Sequence, residues 1–243
     1  MSIEKNREGS GLSPLSIAVV LATGNRDKVR EMQPLLEGIS PLFKLYSLAD
    51  LGLSPDVEET EPTLEGNARL KASALFSLAE PLFAWLIVLS DDTGLEVDAL
   101  DGAPGVRSAR FAPTENGTTP SYEDNVRHLM KLMTNAGNRS ARFRTVIAMK
   151  GRLPSPDGRG SEIDETVEGR IEGSITTNPR GEGGFGYDPL FMPSGLDKTF
   201  AEIGLEEKNR ISHRALAIYR ATQRIQNILD NSGISSTETG THS

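Results

Sequence analysis

Cysteine is absent from the 243 residues of this chain, which removes disulfides, thiolate nucleophiles and cysteine-ligated zinc together. Histidine is scarce: His128, His213 and His242 are the full set, too few for a multi-histidine metal centre. Long apolar runs are missing too. The longest, Leu82 to Leu89, has eight residues, whereas a membrane-spanning helix needs about twenty. Met1 to Pro14 lacks the hydrophobic centre of a signal peptide. The expectation is a soluble, cytoplasmic protein, in which the Asn-x-Ser/Thr matches at Asn116 and Asn138 carry little weight. Excess positive charge is also lacking: 26 Lys and Arg stand against 34 Asp and Glu, a formal charge of −8. That balance argues against a broad nucleic-acid or membrane-binding surface. A small anion held by a few well-placed cations remains compatible with it.

What is present is enough for a folded core, with 37% apolar and 25% charged residues. Residues 1–15 and 231–243 are polar and without apolar periodicity, so they read as disordered tails around one domain, 16–230. Ile17 to Ala22 is a short aliphatic run closed by Thr23-Gly24-Asn25, a strand entering a turn. Val29, Met32, Leu35 and Leu36 then recur at helical spacing. Phe43 to Leu48 reads as a second strand. Pro62, Thr63 and Glu65 signal a helix start ahead of Ala68, Ala72, Leu75 and Phe76. Trp85 to Ser90 reads as a central strand ending at Asp91-Asp92-Thr93-Gly94. A helix over Tyr122 to Met133, strands at Arg142 to Met149 and Ile163 to Ile175, a loop at Gly151 to Gly160 and a last helix from Ser212 to Leu229 follow. The alternation predicts an α/β protein with a mixed sheet.

Six stretches could carry chemistry. In Thr23 to Lys28 a strand turns into a helix, whose N-terminal N–H groups suit a phosphate. Arg26 and Lys28 in its first turn oppose the helix dipole, a conflict that a bound anion would relieve. A plain turn with solvated cations is equally compatible with the residues alone. Asp91-Asp92 sits where open α/β sheets bind ligands, at a strand's C-terminal end, and acidic oxygens suit Mg²⁺ or Mn²⁺. Only one of two adjacent strand residues can face such a metal; a turn capped by the aspartates is the plainer alternative. Among Glu58, Glu59, Glu61 and Glu65 a further metal ligand could lie, although a solvated acidic run explains them too. Asn67 and Lys71 share a helix face, where Lys71 either reaches a phosphate or snorkels to water. Gly181 to Gly186 fits Gly-x-Gly-x-x-Gly in letters, but Pro189 follows and cannot open a dinucleotide-binding helix. A loop admitting a flat ligand beside Phe185 or Tyr187 fits better. Finally, Lys208, His213 and Arg214 bracket the start of the last helix, with Ser212 as its cap; the two basic residues in its first turn again oppose the dipole and are either solvated or donors to an acceptor-rich ligand.

The order of these segments resembles the noncanonical purine nucleoside triphosphate pyrophosphatases, the inosine/xanthosine triphosphate pyrophosphatase family. The matching stretches are Leu21 to Asn25 with Lys28 to Glu31, Glu65 to Ala68 with Lys71-Ala72, Ser90 to Leu100, Gly102 to Val106 with Ser108 to Arg110, Gly183 to Pro189, and Glu207 to Asn209 with Ser212 to Arg214. The resemblance spans residues 16 to 229. It implies an elongated, two-lobed α/β fold with a curved mixed sheet, flanking helices and an active-site cleft between the lobes. It also implies a homodimer that uses Mg²⁺, with Mn²⁺ as a substitute, to hydrolyse ITP, dITP and XTP to monophosphate and pyrophosphate. Carried across, Asp92 is the general base and a metal ligand, with Glu59 assisting at the metal. Substrate contacts fall on Thr23, Gly24, Asn25, Arg26, Asp27, Lys28, Lys71, Thr93, Phe185, Gly186, Tyr187, Asp188, Lys208, His213 and Arg214. Thr93 departs from the family's usual serine and Arg107 from its usual tyrosine, and the loop from Gly151 to Glu165 is long and charged. The decisive expectation is that Lys28, Asp92 and His213, distant in sequence, face one bound nucleotide.

Overall fold

The protein is described here by a computed structural model that covers residues 16–37, 39–114 and 118–234. Residues 1–15 and 235–243, assigned to the tails, and Asn116 of the first glycosylation-like motif lie outside the described residues. The elements are β1 (Ile17–Leu21), α1 (Arg26–Leu36), β2 (Phe43–Tyr46), α2 (Leu64–Ala79), β3 (Leu86–Val97), β4 (Pro104–Gly105), α3 (Tyr122–Leu132), β5 (Ser140–Leu153), β6 (Ser161–Ile175), β7 (Phe191–Pro193), α4 (Leu205–Ile211) and α5 (His213–Asn231). The strands form one mixed sheet in the order β2-β1-β3-β5-β6-β7, with β4 paired to β3, and the sheet curls into a half-barrel. β1 pairs in parallel with β2 and β3, while β3, β5, β6 and β7 run antiparallel.

β3 organises the molecule. Its first half is buried on both faces, as a strand flanked by helices must be. Ile87 and Leu89 join β1 residues beneath α1 and α5, and Leu86 and Val88 face α2. The α2 face is built from Ala68, Ala72 and Ala79 around Leu64 and Leu75, small residues that bring the helix close to the sheet. Leu75 is fully buried there, and truncating it to alanine would cost about 2–5 kcal/mol. The second half of β3 supplies Leu95 and Val97 to another core, closed by α3 and by Phe143, Phe191 and Phe200. Between the two cores lie Asp91, Asp92 and Thr93.

Three expectations change in the structure. Asp91-Asp92 does not end a strand: β3 continues to Val97, because β5 pairs with it without interruption from Leu86↔Arg152 to Val97↔Ala141. The segment from Gly151 to Glu165 is mostly strand, with β5 running to Leu153 and β6 beginning at Ser161. Residues 231–234 continue the fold rather than begin a tail, since α5 ends at Asn231 and Ile234 packs on the first core. The short helix α4 went unpredicted. Gly169 of β6 lets α5 sit directly on the sheet, since a Cβ there would lie 2.0 Å from the His213 carbonyl oxygen and 2.4 Å from the Ala217 nitrogen.

Candidate active site

The β1–α1 junction is built as its sequence suggests. Asn25 caps α1, its Oδ1 accepting the N–H of Asp27 at 2.9 Å and of Lys28 at 3.2 Å. Lys28 Nζ reaches Asp91 Oδ2 at 2.9 Å, so the cation that opposed the helix dipole is neutralised by a buried carboxylate within the protein. Arg26 is exposed and outside the cleft lining, and Asp27 also lies off it.

Alternation along β3 sends its two aspartates to opposite faces. Asp91, on the α1 and α5 side, meets Lys28 and, at 3.5 Å, the Nε of Arg214. Burial alone would raise its pKa, but Lys28, Arg214 and Lys71 outweigh that and hold it far below the usual carboxylate range. Burial, opposed by Asp91 and reinforced by Lys71 and Arg214, lowers the pKa of Lys28. Asp92, on the α2 side, is 6% exposed and accepts a hydrogen bond from Lys71 Nζ at 2.7 Å. Here burial wins: the Asp92 carboxyl titrates above its ordinary value despite Lys71.

Lys71 neither snorkels nor stands free. Its ammonium also donates to Glu59 at 3.0 Å and to the Asp91 carbonyl at 2.8 Å. Burial opposes its charge, yet Asp92, Asp91 and Glu59 raise its pKa. Of the acidic run, only Glu59 joins the site, and Arg110 pairs with it at 3.0 Å. Glu61 instead closes a backbone loop with Asn67, and Glu65 accepts from the Thr166 hydroxyl.

At the far end, Glu31 of α1 ties α4 to α5. Its carboxylate takes Lys208 at 2.6 Å and also Arg214. Lys208 pairs in addition with Asp188, whose carboxyl is raised by burial against the pull of Lys208. Asp188 also accepts the Phe185 N–H at 2.8 Å. That turn requires Gly184, which has a φ of +70° and would place a Cβ 2.0 Å from Asp188 Oδ2. Phe185 keeps a face toward the cleft with Lys208 and Arg214 about its ring, at 5.1 and 5.4 Å from the centroid. Tyr187 is buried, its hydroxyl donating to the Ser108 carbonyl at 2.9 Å, so it is a wall rather than a stacking plate. His213 is buried too and stacks on Phe143 with ring centroids 4.5 Å apart. Burial, with Arg214 and Lys208 nearby, lowers its pKa well below the imidazole range, so it stands neutral. Neither basic residue in the first turn of α5 is therefore solvated.

Thr93 links these groups. Its hydroxyl contacts Thr145 Oγ1 at 2.7 Å and Asp91 Oδ2 at 3.2 Å, and accepts from Arg214 at 3.2 Å. All of these elements open onto one cleft of about 340 Å³, within the usual range for small-molecule sites. Lys28, Asp92 and His213 all line it, as do Thr23, Gly24, Asn25, Glu59, Lys71, Thr93 and the loop from Phe185 to Asp188.

Two carboxylates that touch one ammonium, Asp92 and Glu59, are close enough to share one cation. Magnesium fits this donor set, since it is commonly held by one or two carboxylates and completed by water and substrate phosphate. Among the described residues no group of three or more acidic or histidine side chains forms a closed metal cage.

Sequence reasoning missed Glu31, Tyr122, Asn125 and Thr145. Glu31 stands three residues from Lys28 beside the apolar Met32, and a carboxylate at the margin of a buried helical stripe was the available signal. Asn125, which lines the cleft, accepts the N–H groups of Phe111 and Ala112 and donates to the Ala109 carbonyl, tying residues 109–112 to α3. Nothing in local sequence marks Tyr122 or Thr145.

The Ham1 family model matches residues 19–224. A dITP/XTP pyrophosphatase of Chlorobaculum tepidum is 61% identical over 218 residues, covering 90% of this chain and 96% of that protein. One from Thermoanaerobacter pseudethanolicus is 43% identical over 204 residues, covering 83% and 93%. Of solved structures, a HAM1 protein from Coxiella burnetii superposes with a TM-score of 0.71 at 32% identity, over 87% of this chain and 99% of that one. The Staphylococcus aureus Ham1 protein gives 0.69 at 35% identity, with coverage of 87% and 99%.

Proposed function

This chain belongs to the Ham1 family, and from that premise we propose how its cleft hydrolyses noncanonical purine nucleoside triphosphates such as dITP, ITP and XTP to the monophosphate and pyrophosphate. One observation carries the assignment of roles. Lys28 and Asp91 on one face of β3, Lys71, Asp92 and Glu59 on the other, and Phe185 with Lys208, His213 and Arg214 opposite line a single cleft or border it directly.

Asp92 and Glu59 would hold a Mg²⁺ ion, with Mn²⁺ as a substitute, which when bound offsets triphosphate charge and polarises the phosphoryl oxygens. The N-terminus of α1 and Lys28 receive the phosphate chain, where helix N–H groups and a nearby ammonium favour anions. Asp92 orients and deprotonates the water that attacks the α-phosphorus, and its raised pKa brings its basicity closer to the working range. The bond to the bridging oxygen breaks, and pyrophosphate leaves with its charge already compensated. Most of the acceleration is then positional and electrostatic. Lys71 fixes Asp92, so its role is to place the base.

The purine lies against Phe185. Hypoxanthine and xanthine offer a 6-oxo acceptor to N–H donors at this end, where adenine offers a 6-amino donor. A donor buried without a partner costs about 1–3 kcal/mol, enough for a roughly ten- to hundredfold preference. The same reading includes a cytoplasmic homodimer with no nucleic-acid or membrane partner. The net charge of −8 supports the absence of polyanionic partners, and no described helix is long and apolar enough to cross a membrane; sedimentation equilibrium tests the dimer.

The direct test is pyrophosphate release from dITP and XTP against dATP, with Mg²⁺ and then with chelator. Preferential, chelator-sensitive hydrolysis of the first pair is expected. Equal turnover of all three, or phosphate release in place of pyrophosphate, overturns the reading.

A further inference from the structure

Tyr122 opens α3 behind a capping box formed by Ser121 and Asp124, on an element to which no role in binding has been given. Its side chain lines the cleft while the residue as a whole stays 38% exposed. Its hydroxyl bridges the phosphate loop, accepting from Asn25 Nδ2 at 3.2 Å and approaching Asp27 Oδ2 at 3.4 Å. Its ring faces Phe185 with centroids 5.9 Å apart and planes tilted by 41°. The same side chain thus touches the residue that caps the anion-binding helix and the aromatic plate beside the base.

A planar base held between two rings needs about 7 Å, twice the roughly 3.5 Å contact distance of stacked atoms. The present separation is shorter, so entry of a base requires one ring to yield. Phe185 is fixed by its N–H to Asp188 and by the cations about its ring. Tyr122 is partly exposed at the first residue of α3, with its hydroxyl as the tether among these contacts. The movable wall is Tyr122.

Resting on the proposed function, we infer that Tyr122 is a substrate-contacting residue: its ring closes over the nucleoside opposite Phe185. The alternative is a prop that only steadies Asn25. The two differ in which part of the ligand loses affinity, because a stacking wall acts on the nucleoside and a prop acts on the phosphates.

The experiment compares inhibition of wild-type, Tyr122→Ala and Tyr122→Phe proteins by dIMP and by inorganic tripolyphosphate, alongside kcat and KM for dITP. Loss of a stacked aromatic weakens base binding by about 5- to 100-fold. Tyr122→Ala is expected to raise the dIMP inhibition constant and the KM for dITP at least about fivefold, with kcat within a factor of about three and tripolyphosphate inhibition within about twofold. Tyr122→Phe, which keeps the ring, should retain dIMP inhibition. Equal loss of dIMP and tripolyphosphate, loss of neither, or a Tyr122→Phe variant as impaired as Tyr122→Ala overturns the inference. Failure of the wild-type protein to hydrolyse dITP would instead strike at the proposed function, so the two failures are distinguishable.

Discussion

Lys71 and Asp92 meet at 2.7 Å beneath the cleft, and the same ammonium holds Glu59 at 3.0 Å. The carboxylate proposed as base is thus positioned by a cation that it shares with the second carboxylate. Removing the charge of one partner changes the behaviour of the others, which makes the arrangement open to test.

Replacing Asp92 by Asn keeps the side-chain shape and removes the base. Pyrophosphate release is expected to fall about 10²–10⁴-fold, with thermal unfolding showing the fold retained. Near-normal turnover by this variant would reject Asp92 as the base.

Activity should also fall as pH drops through the raised pKa of Asp92, because only the ionised carboxylate accepts a proton. Burial sets that raised value and Lys71 opposes it. In Lys71→Met the opposition is gone, so the acidic limb of the kcat/KM profile should move to higher pH. A limb unchanged in that variant would separate Lys71 from the base.

Glu31 neutralises two buried cations, Lys208 and Arg214. Glu31→Ala leaves both without that carboxylate, and breaking a buried pair costs about 3–5 kcal/mol. For a chain of this size that lowers the melting temperature by roughly 6–20 °C, readable by calorimetry. A melting temperature within a degree or two of wild type would show that these cations find other compensation.

His213 contributes to acid sensitivity. Its folded pKa is depressed by burial and by neighbouring cations, whereas an unfolded histidine titrates near 6.5, approximately. Below that pH the unfolded chain takes up a proton that the folded chain refuses, so stability falls as pH falls. The slope from this group approaches about 1.4 kcal/mol per pH unit. His213→Phe, which can still stack on Phe143, should flatten the dependence of melting temperature on pH between about 7.5 and 5.

The alternation of aliphatic runs with helical spacing made the mixed α/β sheet legible; the turn at Thr23 to Asn25 located the start of α1, and helix-start residues at Thr63 and Ser212 located those of α2 and α5. The reach of β3 was not legible. Asp-Asp-Thr-Gly has the composition of a turn, and it is pairing with β5, far along the chain, that holds it extended. The candidate residues were found by motif order, but their electrostatics were not. Cations at two helix starts suggested a missing external anion, yet Asp91 and Glu31 supply carboxylates from inside. The polarity of His213 likewise gave no hint of its burial, which depends on Phe143 of a neighbouring strand. Long-range packing decided each of these points.

Gly169 lies off the cleft lining, yet the first turn of α5 rests on its bare backbone. His213 and Arg214 ride on that turn. The thickness of a single methyl group at position 169 would therefore be transmitted as a displacement of the nucleobase end, while Asp92, anchored from α2, stayed where it was. The spacing between β6 and the helix that carries these two side chains is thus set by a residue that never meets the cleft.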